Sequence, residues 1–140
     1  MSSPRVVLIV DDNPTNLKLT SRVLEHDGYR VRQAQDADAA RHRLDEAAPD
    51  LILMDLQMPG TDGLTLTREL KADERSRHIP IVALTSHAMR GDDQKALEAG
   101  CDGYITKPID TRELALQIAR FLPGDPSEKE SSLRNGGPES

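Results

Sequence analysis

The feature that most constrains the fold of this 140-residue chain is a repeated alternation of short apolar runs with longer amphipathic segments. Most of the apolar runs are continuous or nearly so, which is typical of strands covered on both faces. The run at 30–34 alternates more and is less apolar, which favours an edge strand. The predicted strands span residues 6–10, 30–34, 51–54, 81–84 and 103–106.

Helix start and stop signals lie between the apolar runs. Pro14 suits a first helical position, and Gly28 closes that segment. Asp36 can cap a helix over 37–47, and Asp110 and Glu113 have capping-box spacing before the last helix. The two remaining helices are predicted over 64–72 and from Asp92 or Asp93 to Gly100. Strand and helix in alternation predict an α/β fold: a five-stranded parallel sheet with helices on both faces.

Composition bounds the function. With 36% hydrophobic but only 2% aromatic residues, the core must be aliphatic. The net charge of −6 argues against direct nucleic-acid binding through a basic face. The single cysteine cannot form an internal disulfide. No apolar run approaches membrane-spanning length and no signal peptide is evident, so we expect a cytoplasmic protein without membrane insertion.

The domain is expected to end near residue 122. Residues 4–122 contain all of the predicted strands and helices. The segment 123–140 is rich in Pro, Gly and Ser and has few large aliphatic side chains. Such a composition cannot bury enough apolar surface to order itself, so a disordered C-terminal tail is predicted. A remnant of a linker to an output domain explains the segment equally well.

Polar side chains stand where the predicted strands end, and the carboxyl ends of parallel strands meet at one edge of a sheet. The first strand ends in Asp11 and Asp12, the third in Asp55 and the fourth in Thr85, and Lys107 follows the fifth. Converging carboxylates suit Mg²⁺, which prefers oxygen ligands. A nearby lysine is a point charge suited to a phosphoryl group. The pattern therefore predicts phosphoryl transfer to a carboxylate.

Four motifs make the sequence recognisable: VDDN (10–13), LMDLQMPGTDG (53–63), ALTSHAM (83–89) and GYITKP (103–108). The chain resembles the receiver domain of two-component response regulators over about residues 4–122. Within that family it is most similar in its motifs to the single-domain receivers. The resemblance implies a flavodoxin-like (βα)5 fold with strand order 2-1-3-4-5. It also implies a signalling module that catalyses only its own phosphorylation and dephosphorylation.

The resemblance assigns roles to the residues at the strand ends. Asp55 would accept a phosphoryl group from a sensor histidine kinase or a histidine phosphotransfer protein. Asp12 and Asp55 would ligate Mg²⁺ directly and Asp11 largely through water, with the backbone carbonyl of Gln57 completing the protein ligands. Lys107 would pair with the phosphoryl oxygens.

The resemblance also implies a switch. Thr85 would be the switch hydroxyl and Tyr104 the aromatic switch residue. A cis peptide bond before Pro108 would position Lys107. Phosphorylation would remodel the face made by the fourth helix, fifth strand and fifth helix. That face would then control binding to a downstream protein target, or to a second copy in a phosphorylation-dependent dimer.

Other interpretations of these residues remain open. Asp12 precedes a helix and could be its cap. Lys107 could be a solvated lysine, and Tyr104 an ordinary packing residue. An aspartate-nucleophile phosphohydrolase would use similar groups, although such enzymes commonly carry a DxD pair after the first strand. A pseudo-receiver that binds partners without phosphorylation is the third alternative.

Overall fold

The computed structural model describes residues 5–56, 63–85, 91–107 and 109–122. The tail predicted at 123–140 lies outside the described residues. All of the predicted strands are present, and two of them are longer than predicted. β3 and β4 each extend one residue past the predicted ranges, so that Asp55 and Thr85 are the last residues of their strands. The strands are β1 (Val6–Val10), β2 (Arg30–Ala34), β3 (Leu51–Asp55), β4 (Ile81–Thr85) and β5 (Gly103–Thr106).

The helices follow the predicted order with small shifts at their ends. They are α1 (Pro14–His26), α2 (Ala37–Glu46), α3 (Gly63–Ala72), α4 (Asp92–Ala99) and α5 (Leu114–Ala119). Asp36 caps α2 as predicted, since its Oδ1 accepts a hydrogen bond from the Ala39 N–H at 2.7 Å. In the part of the chain that the structure describes, none of the helices has the length and apolar character that crossing a membrane requires.

The capping box predicted at the start of α5 does not form. Asp110 Oδ1 accepts a hydrogen bond from the Arg112 N–H at 2.9 Å, two residues on, and α5 begins only at Leu114. Glu113 makes no side-chain capping hydrogen bond. Asp forms such local turns readily, and here the Asp110 carboxylate bonds the Arg112 N–H instead of a backbone N–H at the start of α5.

The sheet is parallel, in the order β2-β1-β3-β4-β5. β1 lies between β2 and β3, so the strand order reverses direction there, which makes this the topological switch point of the sheet. The register brings the carboxyl ends level: Val10 pairs with Met54, Asp55 with Leu84, and Thr85 with Thr106. One edge of the sheet therefore carries the residues that follow β1, β3, β4 and β5.

Two aliphatic layers enclose the sheet, because successive strand residues point to opposite faces. Val7 and Ile9 join α1 and α5 on one face. Leu8 and Val10 join α2, α3 and α4 on the other. Both faces are therefore covered, as the apolar strands predict.

Lys71, on α3, joins the starts of two strands at the opposite edge of the sheet. Its Nζ donates hydrogen bonds to the carbonyls of Arg77 and Ile79, at 3.2 and 2.9 Å, and to Asp102 Oδ2 at 3.0 Å. The same Asp102 oxygen accepts from the Ile81 N–H at 2.8 Å. The Lys71 side chain is only 19% exposed, so these bonds are partly shielded from water.

We expect Lys71→Met to lower the free energy of unfolding by about 1–3 kcal/mol, because it leaves partly buried acceptors without their donor. Urea denaturation measures the change. Lys18→Met is the matched control, because Lys18 is exposed on α1, and it should change stability by less than about 0.5 kcal/mol. Equal stabilities of the two variants would contradict a structural role for Lys71.

Candidate functional site

The end of β1 places one carboxylate inside the protein and the next one outside. Asp11 is 1% exposed, and its N–H donates to the Ala34 carbonyl of β2 at 3.0 Å. Asp11 Oδ1 accepts a hydrogen bond from the Asn13 N–H at 2.9 Å. Asp12 is exposed. These adjacent acids therefore differ in solvation although both lie in the short connection between β1 and α1.

Asn13 caps α1, a role that the sequence left open for Asp12. The Asn13 side-chain oxygen accepts hydrogen bonds from the N–H groups of Thr15 and Asn16, at 2.9 and 3.2 Å. Asn followed by Pro at the first helical position is a known start signal, so the pattern Asn13-Pro14 could have identified the cap. The capping interpretation of Asp12 is therefore wrong, and its carboxylate is available for other contacts.

Asp55 ends β3 with its carboxylate against Lys107. Asp55 is 1% exposed, and Lys107 Nζ lies 3.1 Å from Asp55 Oδ1. The Lys107 side chain is 18% exposed, and its backbone N–H donates to the Thr85 carbonyl at 2.8 Å. β5 thus delivers the ammonium group of Lys107 to the end of β3 across the intervening strand β4. The solvated interpretation of Lys107 is wrong.

Carboxylates of three residues converge at this edge of the sheet. One oxygen each from Asp11, Asp12 and Asp55 lies within 4.8 Å of the others. The donors are all carboxylate oxygens, which is the ligand chemistry that Mg²⁺ prefers. Two of the three side chains are buried, so solvent screens their mutual repulsion poorly. The residues present therefore fit a hard divalent cation.

Burial raises the pKa of the Asp11 carboxyl to about 6. The hydrogen bond from the Asn13 N–H acts in the opposite direction, while the charge of Asp55 adds to the rise and Lys107 opposes it. The raised pKa means that ionising Asp11 in the metal-free folded protein costs more free energy than ionising it in the unfolded chain.

We expect Asp11→Asn to stabilise the metal-free protein at pH 7.5 by up to about 3 kcal/mol, given 1.36 kcal/mol per pKa unit. The pKa of Asp11 is higher in the folded than in the unfolded protein. Its contribution to stability is therefore fully present below pH 3.8 and is lost as the pH rises through about 6. Urea denaturation of the wild type and Asp11→Asn in a chelator, at pH 4.5 and 7.5, measures the difference in their free energies of unfolding.

The exposed neighbour supplies the control for this prediction. Asp12→Asn should change the stability of the metal-free protein by less than about 0.5 kcal/mol, because Asp12 is not buried. If Asp11→Asn were no more stable than the wild type at pH 7.5, the cost ascribed to the buried charge would not exist.

Thr85 and Tyr104 differ in their relation to the carboxylates. Thr85 is fully buried, and its register places it one residue beyond the partner of Asp55 on β4. Tyr104 lies on β5, pairs with Ala83, and is 40% exposed. The structure brings Thr85 to the same sheet edge as Asp55. Tyr104 pairs with Ala83, two residues before Thr85, and so lies further from that edge.

Exposed apolar side chains mark the face formed by α4, β5 and α5. Leu97 on α4 is 49% exposed, Leu116 on α5 is 68% exposed, and Tyr104 on β5 is 40% exposed. Exposed apolar groups on adjacent elements are a feature of interaction sites. Gln57 and Pro108, the remaining residues predicted for the site, lie outside the described residues.

Comparisons with known sequences agree on one family. The family model described as "Response regulator receiver domain" matches residues 7–119. The polar-differentiation response regulator DivK of Brucella anthropi is 40% identical over 119 residues, which cover 85% of this chain and 97% of that protein.

Solved structures with the same fold include the receiver domain of the sensor histidine kinase PA1611 from Pseudomonas aeruginosa PAO1. That structure has a magnesium ion coordinated in its active-site cleft, with 37% identity, a TM-score of 0.77, and coverage of 84% of this chain and 97% of that one. The chemotaxis protein CheY4 of Vibrio cholerae is 27% identical with a TM-score of 0.81, over 86% of this chain and 100% of that one.

Proposed function

This chain belongs to the family of response regulator receiver domains, and from that premise we propose that it receives a phosphoryl group on Asp55. The donor is a phosphohistidine of a sensor histidine kinase or a histidine phosphotransfer protein. The observation that carries the proposal is the buried Asp55 carboxylate, which lies 3.1 Å from Lys107 and converges with Asp11 and Asp12.

In the transfer, a carboxylate oxygen of Asp55 attacks phosphorus, and the P–N bond of the phosphohistidine breaks. The imidazole leaves with the electron pair and takes up a proton, and Asp55 becomes an acyl phosphate. Lys107 already donates a hydrogen bond to Asp55, so its ammonium group is in place to pair with the phosphoryl oxygens. Positioning and charge neutralisation are the main requirements of this chemistry.

Asp11, Asp12 and Asp55 are the residues that would hold Mg²⁺. The proposal gives Asp12 and Asp55 direct contact with the ion, Asp11 contact largely through water, and the backbone carbonyl of Gln57 the remaining protein ligand. When bound, Mg²⁺ would neutralise charge on the phosphoryl oxygens. The magnesium ion in the related PA1611 receiver domain supports this assignment.

Phosphorylation would act on partners through Thr85 and Tyr104. The Thr85 hydroxyl would hydrogen-bond the phosphoryl group, and Tyr104 would turn inward as Thr85 moves. The exposed Leu97, Tyr104 and Leu116 make the face of α4, β5 and α5 suited to a downstream protein or a second copy of the chain. Such a switch is a local electrostatic change that biases a two-state element.

Intact mass spectrometry after incubation with acetyl phosphate tests the proposal. We expect one added phosphoryl group in the presence of Mg²⁺ and none in a chelator. Absence of the adduct with acetyl phosphate and with a phosphorylated histidine phosphotransfer protein would contradict it and favour a pseudo-receiver. Sustained turnover of small phosphoesters would instead indicate a phosphohydrolase.

A further inference from the structure

Gly63, the first residue of α3, lies against the backbone of the proposed phosphoryl acceptor. A Cβ on Gly63 would lie 2.5 Å from the Asp55 carbonyl oxygen, 3.0 Å from Leu56 Cα and 3.2 Å from the Asp55 carbonyl carbon. These neighbours are backbone atoms, so no side-chain rotation can relieve the contact. Only glycine lets α3 begin this close to the end of β3.

Both sides of this contact are held by other interactions. Asp55 pairs with Leu84 of β4, and the Leu56 N–H donates to the Leu84 carbonyl at 3.2 Å. On the helix side, the buried Thr67 Oγ1 donates to the Gly63 carbonyl at 2.7 Å. The end of β3 therefore cannot move without disturbing its pairing with β4, and the first turn of α3 cannot deform without disturbing the Thr67 bond.

β3 is paired with a neighbouring strand on both sides only as far as Met54. Met54 pairs with Val10 of β1 and with Ala83 of β4, whereas Asp55 pairs with β4 alone. α3 is anchored in the core by Leu66 and Leu70, which are 0% and 8% exposed. Pressure from a Cβ at Gly63 would therefore reach the singly paired end of β3, where Asp55 lies.

We propose that Gly63 is a positioning residue for phosphoryl transfer: its bare Cα lets α3 press against Asp55 and hold the acceptor carboxylate toward Lys107. This inference rests on the proposed function of Asp55. Gly63 does not touch the phosphoryl group and acts through the Asp55 backbone. Displacements well below 1 Å matter here, because misplacing a reacting group by about 1 Å can cost roughly 100-fold in rate.

The experiment compares Gly63→Ala with Gly100→Ala. Gly100 is a matched control because it also lacks room: its φ is +112° and a Cβ would lie 2.9 Å from Lys71 Cγ. Gly100 ends α4, on the sheet edge opposite Asp55. Phosphorylation by acetyl phosphate is measured at saturating Mg²⁺, at a temperature where both variants are folded. The backbone amide shift of Asp55 is recorded in the metal-free proteins.

We expect Gly63→Ala to be phosphorylated about 10-fold more slowly than the wild type, and Gly100→Ala at an unchanged rate. The Asp55 amide resonance should move in Gly63→Ala and not in Gly100→Ala. A general loss of stability would affect both variants alike and would leave the rate of the folded protein unchanged. If Gly63→Ala matched Gly100→Ala in rate and in amide shift, the positioning role would be overturned.

Two further arms keep the test decisive. If Gly63→Ala fails to fold, Thr67→Val removes the hydroxyl that anchors the Gly63 carbonyl, and a rate unchanged from the wild type would overturn the proposal. If the wild type acquires no phosphoryl group from acetyl phosphate or from a phosphorylated histidine phosphotransfer protein, the proposed function fails. The positioning role is then decided by the Asp55 amide shift and the Mg²⁺ affinity of Gly63→Ala, which need no phosphorylation.

Discussion

The Asp55→Asn protein will fold like the wild type and will acquire no phosphoryl group from acetyl phosphate and Mg²⁺. An asparagine amide lacks the anionic oxygen that attacks phosphorus, so the acyl phosphate cannot form. Asn has nearly the shape of Asp, and its oxygen can still accept the hydrogen bond from Lys107. The fold should survive because the substitution also removes a buried charge.

Intact mass spectrometry measures whether a phosphoryl group is added, and circular dichroism measures whether the variant is folded. Asp50→Asn is the matched control, because Asp50 lies at the other end of β3 and its Oδ2 accepts a hydrogen bond from the Val6 N–H at 2.8 Å. That variant should be phosphorylated like the wild type. Full phosphorylation of Asp55→Asn would show that the acceptor is another residue.

Lys107→Ala should slow phosphorylation and disconnect the phosphoryl group from Tyr104. Removing one charged donor from a reacting oxyanion costs about 100-fold in rate, and Lys107 is the ammonium group within 3.1 Å of Asp55. Lys107 directly follows β5, the strand that carries Tyr104, and its backbone N–H bonds to the Thr85 carbonyl at the end of β4. Without the ammonium group, the fraction that becomes phosphorylated should no longer shift Tyr104.

Two readouts separate these effects. Mass spectrometry follows the rate, and the nuclear magnetic resonance signals of the Tyr104 ring follow the switch in the phosphorylated fraction. Lys18→Ala, an exposed lysine on α1, is the control and should match the wild type in both. A phosphorylated Lys107→Ala protein with a wild-type Tyr104 shift would contradict the coupling role of Lys107.

The sequence pattern was sufficient to predict the order and type of the secondary-structure elements. Apolar runs of strand length and amphipathic segments are local signals, and they identified the parallel α/β sheet and its aliphatic core. Strand ends were less predictable. Asp55 and Thr85 extend β3 and β4 because they pair with Leu84 and Thr106 on neighbouring strands, and that pairing is not encoded locally.

Helix ends show the same limit. Asp36 and Asp110 are both acids placed to cap a helix, yet only Asp36 does so. Asp110 instead closes a turn with the Arg112 N–H, two residues on. Residue type and spacing permit both arrangements, and the turn is settled by how the chain leaves β5 and reaches the buried Leu114.

The sequence by itself determined which chemical groups stand at or directly after the strand ends, because the apolar runs locate each strand end to within one or two residues. Only the tertiary structure decided how each group is solvated and what it touches. Asp11 and Asp12 are adjacent in sequence, yet one is buried and the other exposed; the Asp11 N–H bonds to the Ala34 carbonyl of β2, which continues the pairing of β1 with β2 as far as Asp11. The contact of Gly63 with Asp55 likewise depends on how α3 packs on the sheet, since burial and close approach are set by neighbours distant in sequence.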